Sequence, residues 1–178
     1  MSKTDWVDPS IWYQQLPTAH VAAMALIRDQ AGKVLLVKPN YRPHWTLPGG
    51  MADPGESPNV TVAREIDEEL GMTFSPGHLA VVDWVSPQGN RKRPLLAFIF
   101  DGGVVDNPDV DLQKSELDAW RFSSVSDMGD LMPQAGIDRV RSTMWAAKQQ
   151  TTLFLVNGID IRPTSHGDEA STQHDRAS

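Results

Sequence analysis

The chain has 178 residues, 16 Lys+Arg against 23 Asp+Glu for a formal net charge of −7, and 40% hydrophobic residues. That length and apolar share fit one domain with its own core and exclude a wholly disordered chain. The acidic balance disfavours sequence-independent binding of a phosphate backbone. The lack of any cysteine excludes disulfides, thiolate metal sites and a cysteine nucleophile.

Read in chain order, residues 1–18 form an N-terminal extension. Asp8 and Pro9 read as an N-cap and first helical position of a short helix. It carries Ile11, Trp12 and Leu16 on one side and stops near Leu16, because Pro17 disfavours helix in the residue before it. His20 to Arg28 and Lys33 to Lys38 are strand-like runs split by a hairpin signal, Asp29-Gln30-Ala31-Gly32. The longest uninterrupted apolar run, Val21 to Ile27, is seven residues, where a bilayer crossing needs roughly 20. With no secretory pattern at the start, the expectation is a cytoplasmic protein without a membrane partner.

Pro39 to Pro48 is a loop holding a strand-like Trp45-Thr46-Leu47. Pro58 opens a helix that runs to Gly71, with Val62, Ile66 and Leu70 as its apolar stripe. His78 to Ser86 and Pro94 to Phe100 read as strands around the turn Pro87-Gln88-Gly89-Asn90. Ala119 to Ser123 reads as a further strand. Ile137 to Lys148 is an amphipathic helix through Ile137, Val140, Met144 and Ala147. Leu153 to Val156 is a last strand ending at Asn157-Gly158. Most of the six tryptophans are expected in the core. The domain spans 19–161, and 162–178 reads as a disordered tail with almost nothing apolar to bury. The fold class is α+β.

Gly50 to Met72 concentrates the charge, with Asp53, Glu56, Glu65, Asp67, Glu68 and Glu69 against Arg64 alone. On a helix Glu65, Glu68 and Glu69 stand at i, i+3 and i+4, so their carboxylates share one side. Like charges this close repel, and a divalent cation with oxygen ligands offsets them; Mg²⁺ is commonly held by few carboxylates together with substrate phosphates. A solvated helix face is the plain alternative.

The spacing Gly50, five residues, Glu56, seven residues, Arg64-Glu65-Ile66-Asp67-Glu68-Glu69-Leu70-Gly71-Met72 resembles the Nudix box in every fixed position. Seven such residues coincide by chance about once in 10⁸ starting points. The approach Trp45-Thr46-Leu47-Pro48-Gly49-Gly50 resembles the family too, and the resemblance extends over about residues 19–158. It implies an α/β/α sandwich with a mixed β-sheet, and hydrolysis of a diphosphate in a nucleoside diphosphate linked to another group. It implies Mg²⁺, with Mn²⁺ able to substitute, held by Glu65, Glu68, Glu69 and the Gly50 carbonyl. Glu56 and Arg64 would brace loop and helix, and Glu65, Glu68 or Glu116 would take a proton from water.

Tyr41 and Trp45 are candidates for stacking on a base, or for packing against their loop. Arg91, beside Lys92 and Arg93, is a candidate for substrate phosphates, or part of a charged turn. His20 and His44 are isolated and receive no role. The expected partner is a small nucleotide rather than a nucleic acid, with a homodimer left open. The alternative to an enzyme is a nucleotide-sensing module that keeps the fold without turnover, although no box carboxylate is lost. Within the family, Pro87 lies 15 residues after Met72, which resembles the ADP-ribose-hydrolysing branch. Nucleotide sugars such as ADP-ribose therefore lead, and nucleoside triphosphates follow.

Overall fold

A computed structural model describes residues 7–162. It opens with α1 (Pro9–Gln15), where Asp8 caps the helix by accepting from the Ser10 amide at 2.9 Å. No residue of α1 is buried. Residues 163–178 of the expected tail lie outside the described residues, as do residues 1–6.

The strands are β1 (His20–Arg28), β2 (Val34–Pro39), β3 (Gly49–Met51), β4 (Leu79–Val85), β5 (Leu95–Val104), β6 (Leu117–Ser123), β7 (Leu153–Val156) and β8 (Ile159–Asp160). They form a mixed sheet in the order β6-β2-β1-β5-β4-β7-β8, with β3 also paired to β1. The β1/β5 and β4/β7 pairs are parallel, the others antiparallel. Helices α2 (Pro58–Leu70) and α3 (Gln134–Gln149) cover opposite faces.

Strand alternation explains the two layers. Leu26, Val34 and Leu36 join Val81, Ile99, Ile137 and Val140 in the core under α3. Their neighbours Ala25, Ile27, Leu35 and Val37 join Val62, Ile66 and Leu70 of α2 on the other face. This is the expected α+β sandwich. The apolar stripes expected for both helices point inward, with Met144 only partly buried. Gly71 ends α2 in the left-handed region (φ 65°), as a helix stop requires.

Three features differ from expectation. The strand near residue 46 is only a bridge between Thr46 and Val37, and the true strand is Gly49–Met51. A pair of glycines reads as a breaker, yet here it permits close approach: a Cβ on Gly49 would lie 2.2 Å from the Ala23 carbonyl oxygen. A short strand, β8, follows the Asn157-Gly158 turn. And none of the five described tryptophans is fully buried; Trp12 is 48%, Trp84 38% and Trp145 43% exposed. Trp12 sits on the uncovered α1, and Trp145 is stacked under the Arg162 guanidinium, 4.3 Å from its centroid, on the outer side of α3. Among the described residues no helix is long and apolar enough to cross a membrane.

Candidate active site

Helix α2 delivers its carboxylates against the β3 backbone because the glycines leave room. A Cβ on Gly50 would fall 2.5 Å from the Glu65 carboxyl carbon, so Glu65 rests where any other residue would place its side chain. Glu69, in the last turn, accepts from the Gly49 amide at 2.8 Å. Glu69 is buried, Glu65 is nearly so, and Glu68 is half-exposed.

Arg64 lies at the centre of the cluster. Its Nε donates to Glu56 at 2.9 Å, its Nη1 to Glu65 at 3.1 Å and Glu68 at 2.8 Å, and its Nη2 to Glu56 at 3.0 Å and the Met51 carbonyl at 3.1 Å. Glu56 also accepts from the Asp53 amide and the Thr61 hydroxyl, both at 3.1 Å. Loop and helix are thereby clamped together. The Arg64 guanidinium and the Asp53 amide hold Glu56 down at about 2, while Glu56 and the neighbouring glutamates raise Arg64.

Burial pushes Glu69 up to about 7; the Gly49 amide opposes this, and the charges of Glu65 and Glu116 add to it. Burial also raises Glu65, against Arg64 and with Glu68 and Glu116. Glu116, exposed in the loop before β6, is thus felt by both.

Among the described residues no three Asp, Glu or His side chains are gathered closely enough to hold an ion as placed. The hydrogen bonds explain it, since oxygens of Glu65 and Glu68 face Arg64 and one of Glu69 faces the Gly49 amide. In kind the donor set fits a hard divalent cation: it is all oxygen, it comes largely from one helix face, and burial together with neighbouring negative charge raises the proton affinity of Glu65 and Glu69.

On the α3 side of β1 lies a cleft of about 560 Å³, walled by Met24, Trp45, Leu47, Pro87, Met132 and Val140. Leu47, in its wall, stands two residues before Gly49, whose amide meets Glu69, so the segment 47–49 links cleft and carboxylates; Arg42 lines the cleft as well. Trp45 is therefore in the cleft, half-buried, with Arg121 5.9 Å from its ring. Tyr41 is not; it stands 71% exposed with Arg42 over its ring. Arg91 is not either. Its guanidinium donates to the carbonyls of Val85, Ser86 and Arg93 at 3.2, 2.8 and 2.8 Å, which fastens the β4–β5 connection and leaves it poorly placed for phosphate.

Arg42, His44 and Arg139 line the cleft without having been singled out from the sequence for a site role. Nothing in their spacing marks them, because they come together only through the fold. Pro87, noted for its distance from the carboxylate segment, does line the cleft.

A family model, NUDIX domain, matches residues 18–145. The NAD-capped RNA hydrolase NudC of Mycobacterium tuberculosis (strain ATCC 25618 / H37Rv) is 29% identical over 154 residues, covering 79% of this chain and 49% of that protein. The chain thus spans about half the length of the curated relatives it matches first. Among solved structures, the MutT protein from Methanosarcina mazei Go1 is 30% identical with a TM-score of 0.60, covering 75% of this chain and 96% of that one. A UDP-X diphosphatase is 19% identical with a TM-score of 0.64, covering 84% and 76% respectively, and shares the fold.

Proposed function

We propose, from the premise that this chain belongs to the NUDIX domain family and is a Nudix-type diphosphate hydrolase, that its substrate is a nucleoside diphosphate linked to another group. Nucleotide sugars, the class to which ADP-ribose belongs, come first and nucleoside triphosphates second. The observation that carries this reading is the set of crowded carboxylates on α2 beside a cleft large enough for a nucleoside. The non-catalytic alternative loses ground because every box carboxylate is in place.

The family uses a divalent cation, and Mg²⁺ is the one proposed, held by Glu65, Glu68, Glu69 and the Gly50 carbonyl. When bound, it supplies neutralisation of charge on the phosphate oxygens and Lewis-acid polarisation. The protein does the rest. Glu56 and Arg64 hold the loop against α2. Glu65, Glu68 or Glu116 accepts the proton of the attacking water. Trp45 offers a stacking face to the part of the substrate in the cleft. Residues 19–161 make up this catalytic unit, acting in the cytoplasm.

The test compares kcat/KM for ADP-ribose, for other nucleotide sugars and for common and oxidised triphosphates, with Mg²⁺ throughout. A triphosphate preferred by more than about tenfold, roughly 1.4 kcal/mol in transition-state binding, reverses the order of the two substrate classes.

A further inference from the structure

Resting on that reading and deepening it, we infer that Arg139, fixed by the buried Asp83, selects the substrate's base, favouring one that presents a carbonyl oxygen, as guanine or uracil does, over adenine. Asp83 stands in β4. It is completely buried, and burying a carboxylate is costly unless it is paired. Its Oδ2 accepts from Nε of Arg139 at 2.7 Å, with Nη2 also 2.7 Å away, and its Oδ1 accepts from the Gly158 amide at 3.2 Å. With both oxygens engaged, the carboxylate holds the guanidinium of this α3 residue in one orientation.

Arg139 lines the cleft, and among the described residues its Nη1 donates to no protein acceptor. Among the described residues no Asp or Glu lines the cleft. The Asn157 amide, which also lines it, is engaged at both ends by Ser86, at 2.8 and 3.2 Å. The Nη1 donor is accessible and unclaimed by the protein, so a ligand in the cleft can supply its acceptor. The apolar walls beside Trp45 suit a flat ring. A guanidinium only donates, so it matches the exocyclic carbonyl of guanine or uracil, whereas adenine carries a donating amine at that position and offers only its ring nitrogens as acceptors. Adenine nucleotide sugars, ADP-ribose among them, become the poorer members of the proposed class. A phosphate oxygen shares the same acceptor chemistry, and the test separates the two.

Quenching of tryptophan emission measures binding of GMP, UMP, AMP and inorganic phosphate in chelator, so no turnover is involved. Failure of the hydrolase reading appears only in turnover, and failure of this inference only in binding. The wild-type chain should bind GMP or UMP at least about tenfold more tightly than AMP. Arg139→Met should erase that difference with AMP binding little changed, and Arg139→Lys should restore it only in part. Asp83→Asn should narrow the preference through Arg139; melting temperatures show whether each variant is folded. Equal binding of the monophosphates by the wild-type chain overturns the inference whether or not any variant folds. So does an undiminished preference in folded Arg139→Met. Inorganic phosphate binding that is lost with Arg139, without base preference, assigns the residue to phosphate instead and also overturns it.

Discussion

The Gly49 amide donates to the Glu69 carboxylate at 2.8 Å, joining the first residue of β3 to the last turn of α2. One bond sets the height of the helix against the sheet and one carboxylate of the cluster at once. It exists because the backbone at Gly49 takes φ 127° and packs on β1, where Gly49 pairs with Met24.

The two adjacent glycines should therefore fail differently. In Gly49→Ala the new Cβ meets backbone, 2.2 Å from the Ala23 oxygen and 2.7 Å from the Met24 Cα, at a φ that L residues rarely adopt. The expected outcome is a misfolded or strongly destabilised chain. In Gly50→Ala the Cβ meets only the end of the Glu65 side chain, at 2.5 Å. That carboxylate can swing away, so the melting temperature should fall modestly while turnover collapses. Circular dichroism melts and turnover together decide; normal activity in Gly50→Ala would show that the Glu65 position does not matter.

Glu68→Gln and Glu69→Gln keep shape and remove a charge. If these side chains hold the cation, each should lower the rate by orders of magnitude with folding intact, and chelator should abolish wild-type turnover. Because burial opposes the charge on Glu69, Glu69→Gln should melt no lower than wild type without metal at neutral pH. Full activity in Glu69→Gln, or in excess chelator, sinks the assignment.

Arg64 faces Glu56, Glu65 and Glu68 together, so Arg64→Ala releases the loop and leaves three carboxylates to repel one another. Turnover should fall at least about tenfold and the melting temperature should drop. Arg64→Lys should not rescue it, since one ammonium cannot span what the planar guanidinium spans. A lysine variant with wild-type kinetics would mean that Arg64 supplies only charge.

How much of this was legible in the sequence follows from the range of the interactions. The α2 carboxylates, Gly50 and the helix stop at Gly71 are fixed by local spacing, and the strands around them by alternation. The expected helix and strand limits moved by no more than a few residues. Glu56 and Arg64 are eight residues apart, and their contact follows from one loop and two helical turns. Asp83 and Arg139 are 56 residues apart; no pattern in either neighbourhood announces the other, and only the packing of α3 on β4 brings them together. Arg91 misled because a run of three cations looks like a phosphate site, whereas its guanidinium closes on nearby carbonyls. The tryptophans misled because composition does not say which sheet and helix faces are left uncovered.

The pH dependence of the metal-free chain should carry the mark of Glu69. Its folded value of about 7 exceeds the ordinary 4.5, so between those values the folded state holds more protons than the unfolded one. Stability must then fall as pH rises through that window, by on the order of 3 kcal/mol if the shift acts alone. Glu65 is raised as well and pushes the same way. Glu56, held at about 2, has the opposite sign: its contribution is complete above 4.5 and is lost only as pH drops towards 2, so it stays constant across the window. A cation needs the ionised carboxylates, so Mg²⁺ should stabilise strongly at about pH 8.5 and weakly at about pH 5.5. The measurement is the melting temperature of wild type and Glu69→Gln at both pH values, in chelator and in Mg²⁺. In chelator the wild type should lose ground to the glutamine variant as pH rises, and in Mg²⁺ at the higher pH it should recover it. A wild-type minus variant difference that stays flat across the window would remove Glu69 as the group responsible.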